Sequence, residues 1–444
     1  MTHRALAATL LSATILIALE TTALLTALPT ISDELRGDGL YGATLAAYTL
    51  ATMTGLVVAG FAADGFGPRR PFVVCVSLFV IGLVISSLAP TMTFVLIGRT
   101  VQGLGGGGLT PISYAVISRM WPGDQQSRLF AALSVGWVLP SLLAPALAGW
   151  VTQHWGWRWV FVGIIPAAVT VGILGSTTIP NLTSTAPTGR DQTLITPAVL
   201  LSTGLGAVII GLQHDRWWIA APLVASGAAV AARGFNRIMP TSTHRASPGL
   251  PAILVCRILA MAAFLGVDSF IPLAADRVHG SSPTEQGFVI IGAALTWSLG
   301  SVIVGRRREY DVSRLVRAGF VLILVGILAI VPTLRASWPL SATFIGWSIA
   351  GFGMGLLYVP TSVLAMTYAD RGQEGATGSR INLSDSIGFA LMGGVGGATV
   401  AVAERTSWSL TQALATNFAV AALLAIVGIT LAGRTAATRS GAPS

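Results

Sequence analysis

Residues 96–111 read LIGRTVQGLGGGGLTP and place Arg99 shortly before a run of glycines. The apolar segment that contains them, residues 92–118, is long enough to cross a bilayer, which needs about 20 such residues. A guanidinium in hydrocarbon costs at least about 2.5–3.5 kcal/mol, so an arginine at this depth indicates a function. The glycines allow another helix to approach closely at the same level. The stretch therefore predicts a buried charge beside a tightly packed helix, as in a transport protein that changes conformation.

The composition of the whole chain is typical of a polytopic membrane protein. Of its 444 residues, 53% are apolar and 10% are charged, and the mean hydropathy is +0.76. A soluble protein carries about 25% charged residues. Lysine is absent, which excludes a Walker A lysine. No HExxH or CxxC pattern occurs, and Cys75 and Cys256 fall in apolar segments, so we expect no metal site and no disulfide framework.

The apolar segments are too long for the strands of a membrane barrel, so we interpret them as helices of an all-α polytopic protein. The fourteen predicted spans are residues 5–30, 41–62, 71–89, 92–118, 128–151, 159–179, 194–213, 217–233, 251–275, 285–305, 314–333, 341–368, 376–402 and 410–432. The first has a longer apolar run than a signal peptide and no A-x-A site after it, so we interpret it as a span.

The arginines predict the orientation. With a cytoplasmic N-terminus, most of them fall in inner loops and tails, as the positive-inside rule requires. The outer loops would then hold only Arg36, Arg158, Arg216, Arg277, Arg335 and Arg405. We therefore expect both termini in the cytoplasm. The formal charge of +9 is spread along this inner rim, so we expect a lipid bilayer and a small-molecule substrate as partners, and no nucleic acid.

The spans divide into two blocks of six with two between them. The predicted parts are a bundle at 1–180, a two-helix insert at 190–235, a second bundle at 250–434 and a cytoplasmic tail at 435–444. Polar, proline-containing loops flank the insert, as linkers do. The second span of each block ends in a loop with glycine and clustered arginines, at 58–71 and 301–314. Two related six-span halves are typical of secondary transporters, which bind substrate where the halves meet.

Several motifs resemble those of the major facilitator superfamily. The loop GFAADGFGPRR resembles the signature G-x-x-x-D-x-x-G-R-[KR]-[KR], with Pro68 at the first basic position. Its matching residues are Gly60, Asp64, Gly67, Arg69 and Arg70. RTVQG resembles the fourth-span signature R-x-x-Q-G, matched at Arg99, Gln102 and Gly103. WGWRWVF (155–161) and the segment 375–398 are also similar to that family.

Two further motifs resemble the fourteen-span drug/proton antiporters of that superfamily. ALETTALLTALPTI (18–31) is similar to their first-span signature, with Glu20 where aspartate is more usual. LLAPALAGW (142–150) resembles their fifth-span signature at Pro145 and Gly149. Alanines 144 and 148 stand where that signature has glycines.

The resemblance implies the major facilitator fold, two six-helix bundles with a two-helix insert. It also implies a monomeric plasma-membrane transporter, which is not an enzyme. Such a transporter exports hydrophobic or cationic small molecules in exchange for protons, and it needs no cofactor. Because Ala144 and Ala148 depart from the fifth-span signature, an importer or symporter remains an alternative. Lipid export is a variant of the export function. A non-transporting receptor has little support, because the chain shows no soluble domain and no catalytic constellation.

The loop signature indicates a conformational latch. The carboxylate of Asp64 would dock on the N-terminus of the thirteenth span at Gly375–Gly378, where the helix dipole favours negative charge. The family's structure implies the same latch. The simpler alternative is an arginine cluster that only sets topology.

Buried charges indicate where protons couple to transport. Glu20 and Arg99 lie roughly 15 and 10 Å from the outer ends of their spans, so they can meet. The charge of Arg99 favours an ionised Glu20 and desolvation favours a protonated one, a balance that suits a proton carrier. A static ion pair that joins the two spans is the alternative.

The second half repeats the pattern. Arg257 and Asp385 lie roughly 9 and 13 Å from the inner side, which permits a second pair. Asp268, in the outer third of the ninth span, is a second protonation site, an anchor for a cationic substrate, or an interfacial carboxylate. Trp297 and Trp347 lie within spans, where lining a cavity and packing both remain open.

Overall fold

The part of the chain that the structure describes is almost entirely helical. The computed structural model describes residues 3–121, 125, 129, 132, 133, 136, 138–180, 189–306, 310–368 and 374–435. The helices in that part are α1 (His3–Glu34), α2 (Tyr41–Phe66), α3 (Arg69–Ser87), α4 (Met92–Met120), α5 (Val138–Trp155), α6 (Arg158–Thr178), α7 (Gly189–Leu212), α8 (Trp217–Ile238), α9 (Leu250–Asp268), α10 (Ile271–His279), α11 (Pro283–Gly305), α12 (Val312–Ile330), α13 (Leu340–Thr367), α14 (Glu374–Arg405) and α15 (Leu410–Leu431). The described residues include no strand, as the sequence predicts.

Twelve candidate spans in the described ranges are long and apolar enough to cross a membrane, with α9 and α10 counted together. Helices α4 and α5 are not among them. Arg99 and the glycine run lower the mean hydropathy of α4, although its 29 residues exceed the length of a span. The N-terminal part of the fifth predicted segment, before Val138, lies largely outside the described residues. The count of fourteen spans therefore stays a prediction.

The described residues pack as two compact units. The first comprises Met1–Phe235 and Ser281–Gly287, and the second comprises Asn236–Gly280 and Phe288–Ser444. In the first unit α7 packs on α2, where Thr54 and Ser202 share a hydrogen bond of 2.6 Å. Each unit buries aromatic side chains, among them Phe72 in the first and Phe320 in the second. The division of the chain into the four predicted parts stays a prediction.

Glycines set the packing of α4 in the first unit. A Cβ atom at Gly103 would lie 2.8 Å from the Cβ of Ala51 on α2 and nearer still to the Tyr48 carbonyl oxygen. A Cβ at Gly105 would lie 2.6 Å from the Phe79 nitrogen on α3. The backbones of α2 and α3 thus touch α4 where glycine leaves space, which is how small residues join helices in a membrane.

We expect Gly105→Ala to destabilise the first unit by about 1–3 kcal/mol, because α3 must move to admit the methyl group. Gly163→Ala on α6 is the matched control, since no heavy atom lies within 4 Å of the added Cβ. The measurement is thermal unfolding of both purified variants. Equal melting temperatures for the two variants would contradict the close packing of α3 on α4.

The predicted ninth span, residues 251–275, is two helices. Helix α9 ends at Asp268, and α10 begins at Ile271. Pro272 has no N–H to donate to the carbonyl of Asp268 four residues earlier, so the helical ladder stops there. The break places the Asp268 side chain at a helix end inside an apolar segment.

Candidate functional site

The first unit buries an ion pair at the centre of the quoted stretch. Glu20 on α1 and Arg99 on α4 are only 1% and 2% exposed. The Nη1 atom of Arg99 donates to Oε1 of Glu20, and it also donates to Oε1 of Gln102 at 2.8 Å. Gln102 follows Arg99 by three residues and so lies on the same face of α4. The structure thus brings together Glu20, Arg99 and Gln102, which the first-span and fourth-span motifs include.

Tyr48 on α2 completes this cluster. The guanidinium carbon of Arg99 lies 4.1 Å from the centre of the Tyr48 ring, within the range of a cation–π contact. Gly103 allows this contact, because it lets the α2 backbone at Tyr48 approach α4. Sequence reasoning missed Tyr48, since a tyrosine within an apolar span carries no motif. Depth alone does not show which neighbouring helix faces Arg99.

Four polar atoms of this cluster have no hydrogen-bond partner among the described residues. They are Oε2 of Glu20, the hydroxyl oxygen of Tyr48, Nε of Arg99 and Nε2 of Gln102. A buried polar group without a partner costs about 1–3 kcal/mol. The cluster therefore has unused capacity to take up a proton or to change its hydrogen bonds.

The second unit buries a better satisfied pair. Arg257 on α9 donates from Nε to Oδ1 of Asp385 at 2.8 Å and from Nη2 to Oδ2 at 2.5 Å. Its remaining nitrogen, Nη1, donates to the carbonyl of Tyr358 at 3.1 Å and to Oγ of Ser362 at 2.8 Å. The Arg257 side chain is 1% exposed and that of Asp385 is 15% exposed. This two-point geometry is the strong form of an arginine–carboxylate contact.

Tyr358 on α13 holds the same pair from one side. Its ring centre lies 3.7 Å from the guanidinium carbon of Arg257, and its hydroxyl donates to Oδ2 of Asp385 at 3.3 Å. Every nitrogen of Arg257 thus has a partner, in contrast to Arg99. Sequence reasoning identified the two charges but missed Tyr358 and Ser362. Their spacing of four residues on one face of α13 was the available signal.

Asp268 forms no ion pair among the described residues. Its Oδ1 accepts a hydrogen bond of 2.6 Å from Nε1 of Trp347, and it is 5% exposed. Trp347 on α13 is fully buried, so it does not face lipid. This burial disfavours the alternative of an interfacial carboxylate and leaves the protonation site and the cation anchor open.

The loop signature occupies the turn between α2 and α3. Gly67 ends α2 with a φ of +75°, a left-handed conformation that favours glycine. Arg69 and Arg70 begin α3, and Arg70 is exposed. A Cβ on Gly60 would meet only Pro111, at 4.0 Å. The side chain of Asp64 lies outside the described residues, so its latch stays a prediction.

The fifth-span residues form a close helix contact in the first unit. A Cβ on Gly149 would lie 2.8 Å from the carbonyl carbon of Pro283, and one on Gly287 would lie 2.7 Å from that of Pro145. Gln153 and Thr284 add a hydrogen bond of 2.7 Å along the same contact. The two glycines thus bring α5 against the first turns of α11.

Comparison with known families agrees with this architecture. The profile of the Major Facilitator Superfamily matches residues 10–277, more than half of the chain. The chain belongs to the major facilitator superfamily. It is therefore a multi-pass membrane protein of a family of transporters, which are not enzymes.

Curated relatives carry names that refer to drug efflux. The chain is 28% identical over 353 residues to the multidrug resistance protein B homolog of Mycobacterium tuberculosis, covering 74% of this chain and 64% of that relative. It is 26% identical over 379 residues to a probable multidrug-efflux transporter of the same organism, covering 81% of this chain and 80% of the relative. The chain thus spans a little under two thirds of the first relative's length.

Solved structures of other transporters share the fold. The human organic anion transporter MFSD10 has a TM-score of 0.64 at 15% identity, covering 97% of this chain and all of that one. A POT family transporter in complex with 5-aminolevulinic acid has a TM-score of 0.70 at 11% identity, covering 96% of each chain. At these identities the likeness shows the major facilitator fold alone.

Proposed function

We propose that this superfamily member exports hydrophobic or cationic small molecules across the plasma membrane in exchange for protons, by alternating access. The observation that carries the proposal is the incomplete cluster of Glu20, Arg99 and Gln102. Its carboxylate is buried and paired, yet one of its oxygens has no partner among the described residues. The names of the efflux relatives support the direction and the class of substrate.

The geometry supports a simple proton step. A proton adds to Oε2 of Glu20 without displacing a described hydrogen bond, since Oε1 alone accepts from Arg99. The neutral carboxyl then attracts Arg99 less, and the cation relies on Gln102 and the Tyr48 ring. Helices α1 and α4 thus have two discrete arrangements, paired and released. A transporter needs such a two-state element, whose equilibrium proton and substrate both bias.

The Arg257–Asp385 pair serves a different purpose in this proposal. All its guanidinium nitrogens are bonded, so breaking it loses several contacts at once. We assign it the task of holding α9, α13 and α14 together while the first unit changes. A monomeric transporter without a cofactor remains part of the proposal, as the resemblance implies.

Everted membrane vesicles test the proposal. With an imposed acid interior, vesicles that contain the protein should accumulate ethidium, and nigericin should abolish the accumulation. Vesicles from empty-vector cells are the control. Uptake of the dye only by right-side-out vesicles would support an importer or symporter instead. Movement of labelled lipid without ethidium would support lipid export.

The orientation has its own prediction. We place both termini and the 233–249 segment in the cytoplasm, and residues 239–249 of it follow the end of α8. A membrane-impermeant thiol reagent should then fail to label His244→Cys in intact cells and should label Ser337→Cys. Both positions are exposed, and the native Cys75 and Cys256 are buried, so background labelling stays low. Labelling at residue 244 but not at 337 would contradict this topology.

A further inference from the structure

A continuous line of aromatic rings connects Asp268 to the Arg257–Asp385 pair in the second unit. Trp347 stacks on Phe264 with ring centres 4.8 Å apart and an angle of 11°. Phe264 meets Trp297 edge to face at 5.5 Å, and Trp297 meets Tyr358 at 5.3 Å. Aromatic pairs in these geometries contribute about 0.5–1.5 kcal/mol beyond the area they bury.

A carboxylate fixes each end of this line. At one end Asp268 accepts from the indole of Trp347, and at the other Asp385 accepts from the hydroxyl of Tyr358. Asp268 and Phe264 are four residues apart on α9, so they lie on one face of that helix. The hydrogen bond that Asp268 accepts therefore fixes the orientation of the Trp347 ring. Stacking on Trp347 then fixes the orientation of the Phe264 ring.

The rings differ in their exposure. Phe264 and Trp347 are buried, at 3% and 0%, whereas Trp297 and Tyr358 are half-buried. The exposed part of Trp297 lies away from the exposed apolar side of α11. The large apolar residues exposed on α11 form one stripe, Phe288, Leu295, Leu299, Val302 and Ile303. At 100° per residue, Trp297 lies about 200° from Leu295, on the opposite side of the helix.

The surroundings of Tyr358 are polar as well as aromatic. Asp385 and the half-buried Ser362 lie beside it, and charged groups in a membrane protein face its interior or a water-filled cavity. Trp297 and Tyr358 meet at an interplanar angle of 64°, so their rings form a corner. The break between α9 and α10 at Asp268 is also a feature of transporter binding sites, which use discontinuous helices.

We propose that Asp268 is a positioning residue: through Trp347 and Phe264 it orients Trp297, which with Tyr358 forms a subsite for an aromatic ring of the substrate. This inference rests on the proposed transport of small molecules. It specifies that this corner recognises an aromatic ring of the substrate. In this role Asp268 acts as a hydrogen-bond acceptor for the indole. Neither its charge nor a proton on it is required.

The test compares two cations of the same charge, aromatic tetraphenylphosphonium and aliphatic tetrapentylammonium. Their affinities for the purified, full-length protein are measured by equilibrium dialysis. Wild-type protein should prefer the aromatic cation. Trp297→Leu, which removes one wall of the corner, should weaken tetraphenylphosphonium binding about tenfold and change tetrapentylammonium binding less than about twofold.

Asp268 and Trp347 variants separate positioning from charge. Asp268→Leu removes the acceptor and Trp347→Phe removes the donor, so each should weaken binding of the aromatic cation about three- to tenfold. Asp268→Asn keeps an acceptor oxygen and should bind both cations as wild type does. Trp408→Phe is the matched control, because Trp408 is 45% exposed and no ring contact is described for it.

Three outcomes would overturn the proposal. Equal affinity of wild-type protein for the two cations would remove the subsite. An equal loss of affinity for both cations in Trp347→Phe would indicate general damage to the protein. If Asp268→Asn weakens binding of the aromatic cation as much as Asp268→Leu does, the charge of Asp268 binds the substrate or carries a proton. The vesicle assay scores proton-driven export separately, so loss of the subsite and loss of the export function are distinguishable.

Discussion

Replacing Glu20 by glutamine is expected to abolish export driven by the proton gradient while the protein still folds and binds substrate. Glutamine has nearly the shape of a protonated glutamate, and its Oε1 can still accept from Arg99. It cannot release or regain a proton, so the paired and released arrangements no longer follow the gradient. Ethidium accumulation in everted vesicles should fall to the empty-vector level, at least about tenfold, as losses of proton-transfer groups do.

Glu34→Gln is the matched control for this variant. Glu34 lies on the same helix, but its side chain is 51% exposed, and a glutamine there can still accept from Nε1 of Trp157. It should retain most of the transport. Normal proton-driven export by Glu20→Gln would exclude Glu20 as the carrier and move the proton site to Asp385 or Asp268.

Tetraphenylphosphonium binding by Glu20→Gln completes this test. The affinity should stay within about threefold of wild type, because the proposed aromatic corner belongs to the second unit. A variant that loses binding and export together, with a lowered melting temperature, would instead support the static ion pair that joins α1 and α4.

The depth of a residue in a span could be predicted from the sequence, and its neighbours could not. A helix rises 1.5 Å per residue, so Glu20 and Arg99 could be placed at similar depths, as could Arg257 and Asp385. Depth does not determine which face of another helix meets a residue. Tyr48 and Trp347 therefore enter the site only through packing in three dimensions, which no motif or spacing records.

Local chemistry that the sequence contained was also overlooked. Pro272 lacks the N–H that would continue α9 past Asp268, so a break was possible there. The proline alone does not predict it, since Pro111 and Pro166 lie inside continuous helices. Without that break, the sequence predicts residues 251–275 as one regular span and leaves an interfacial carboxylate among the alternatives for Asp268. The glycine run, in contrast, correctly indicated close packing of α4, because a residue without a side chain has few other uses in a buried helix.

The second large effect is expected at Asp385, and it is an effect on stability. Asp385→Ala leaves the guanidinium of Arg257 buried without its two-point partner, which costs about 3–5 kcal/mol. The melting temperature of the purified protein should fall by on the order of 10 °C. Tyr358 also loses the acceptor of its hydroxyl, so the variant should be poorly expressed. Thermal unfolding followed by tryptophan fluorescence measures the change.

The double variant Arg257→Met/Asp385→Leu shows whether this pair is structural. Apolar residues of similar volume can replace a buried ion pair at little cost, whereas removal of one partner strands a charge. The double variant should therefore regain most of the melting temperature that Asp385→Ala loses. Because the pair holds helices and carries no proton in the proposal, export should recover with it. A double variant that is stable yet inactive, beside an active Glu20→Gln, would make Asp385 the proton carrier and reverse the roles assigned to the two pairs.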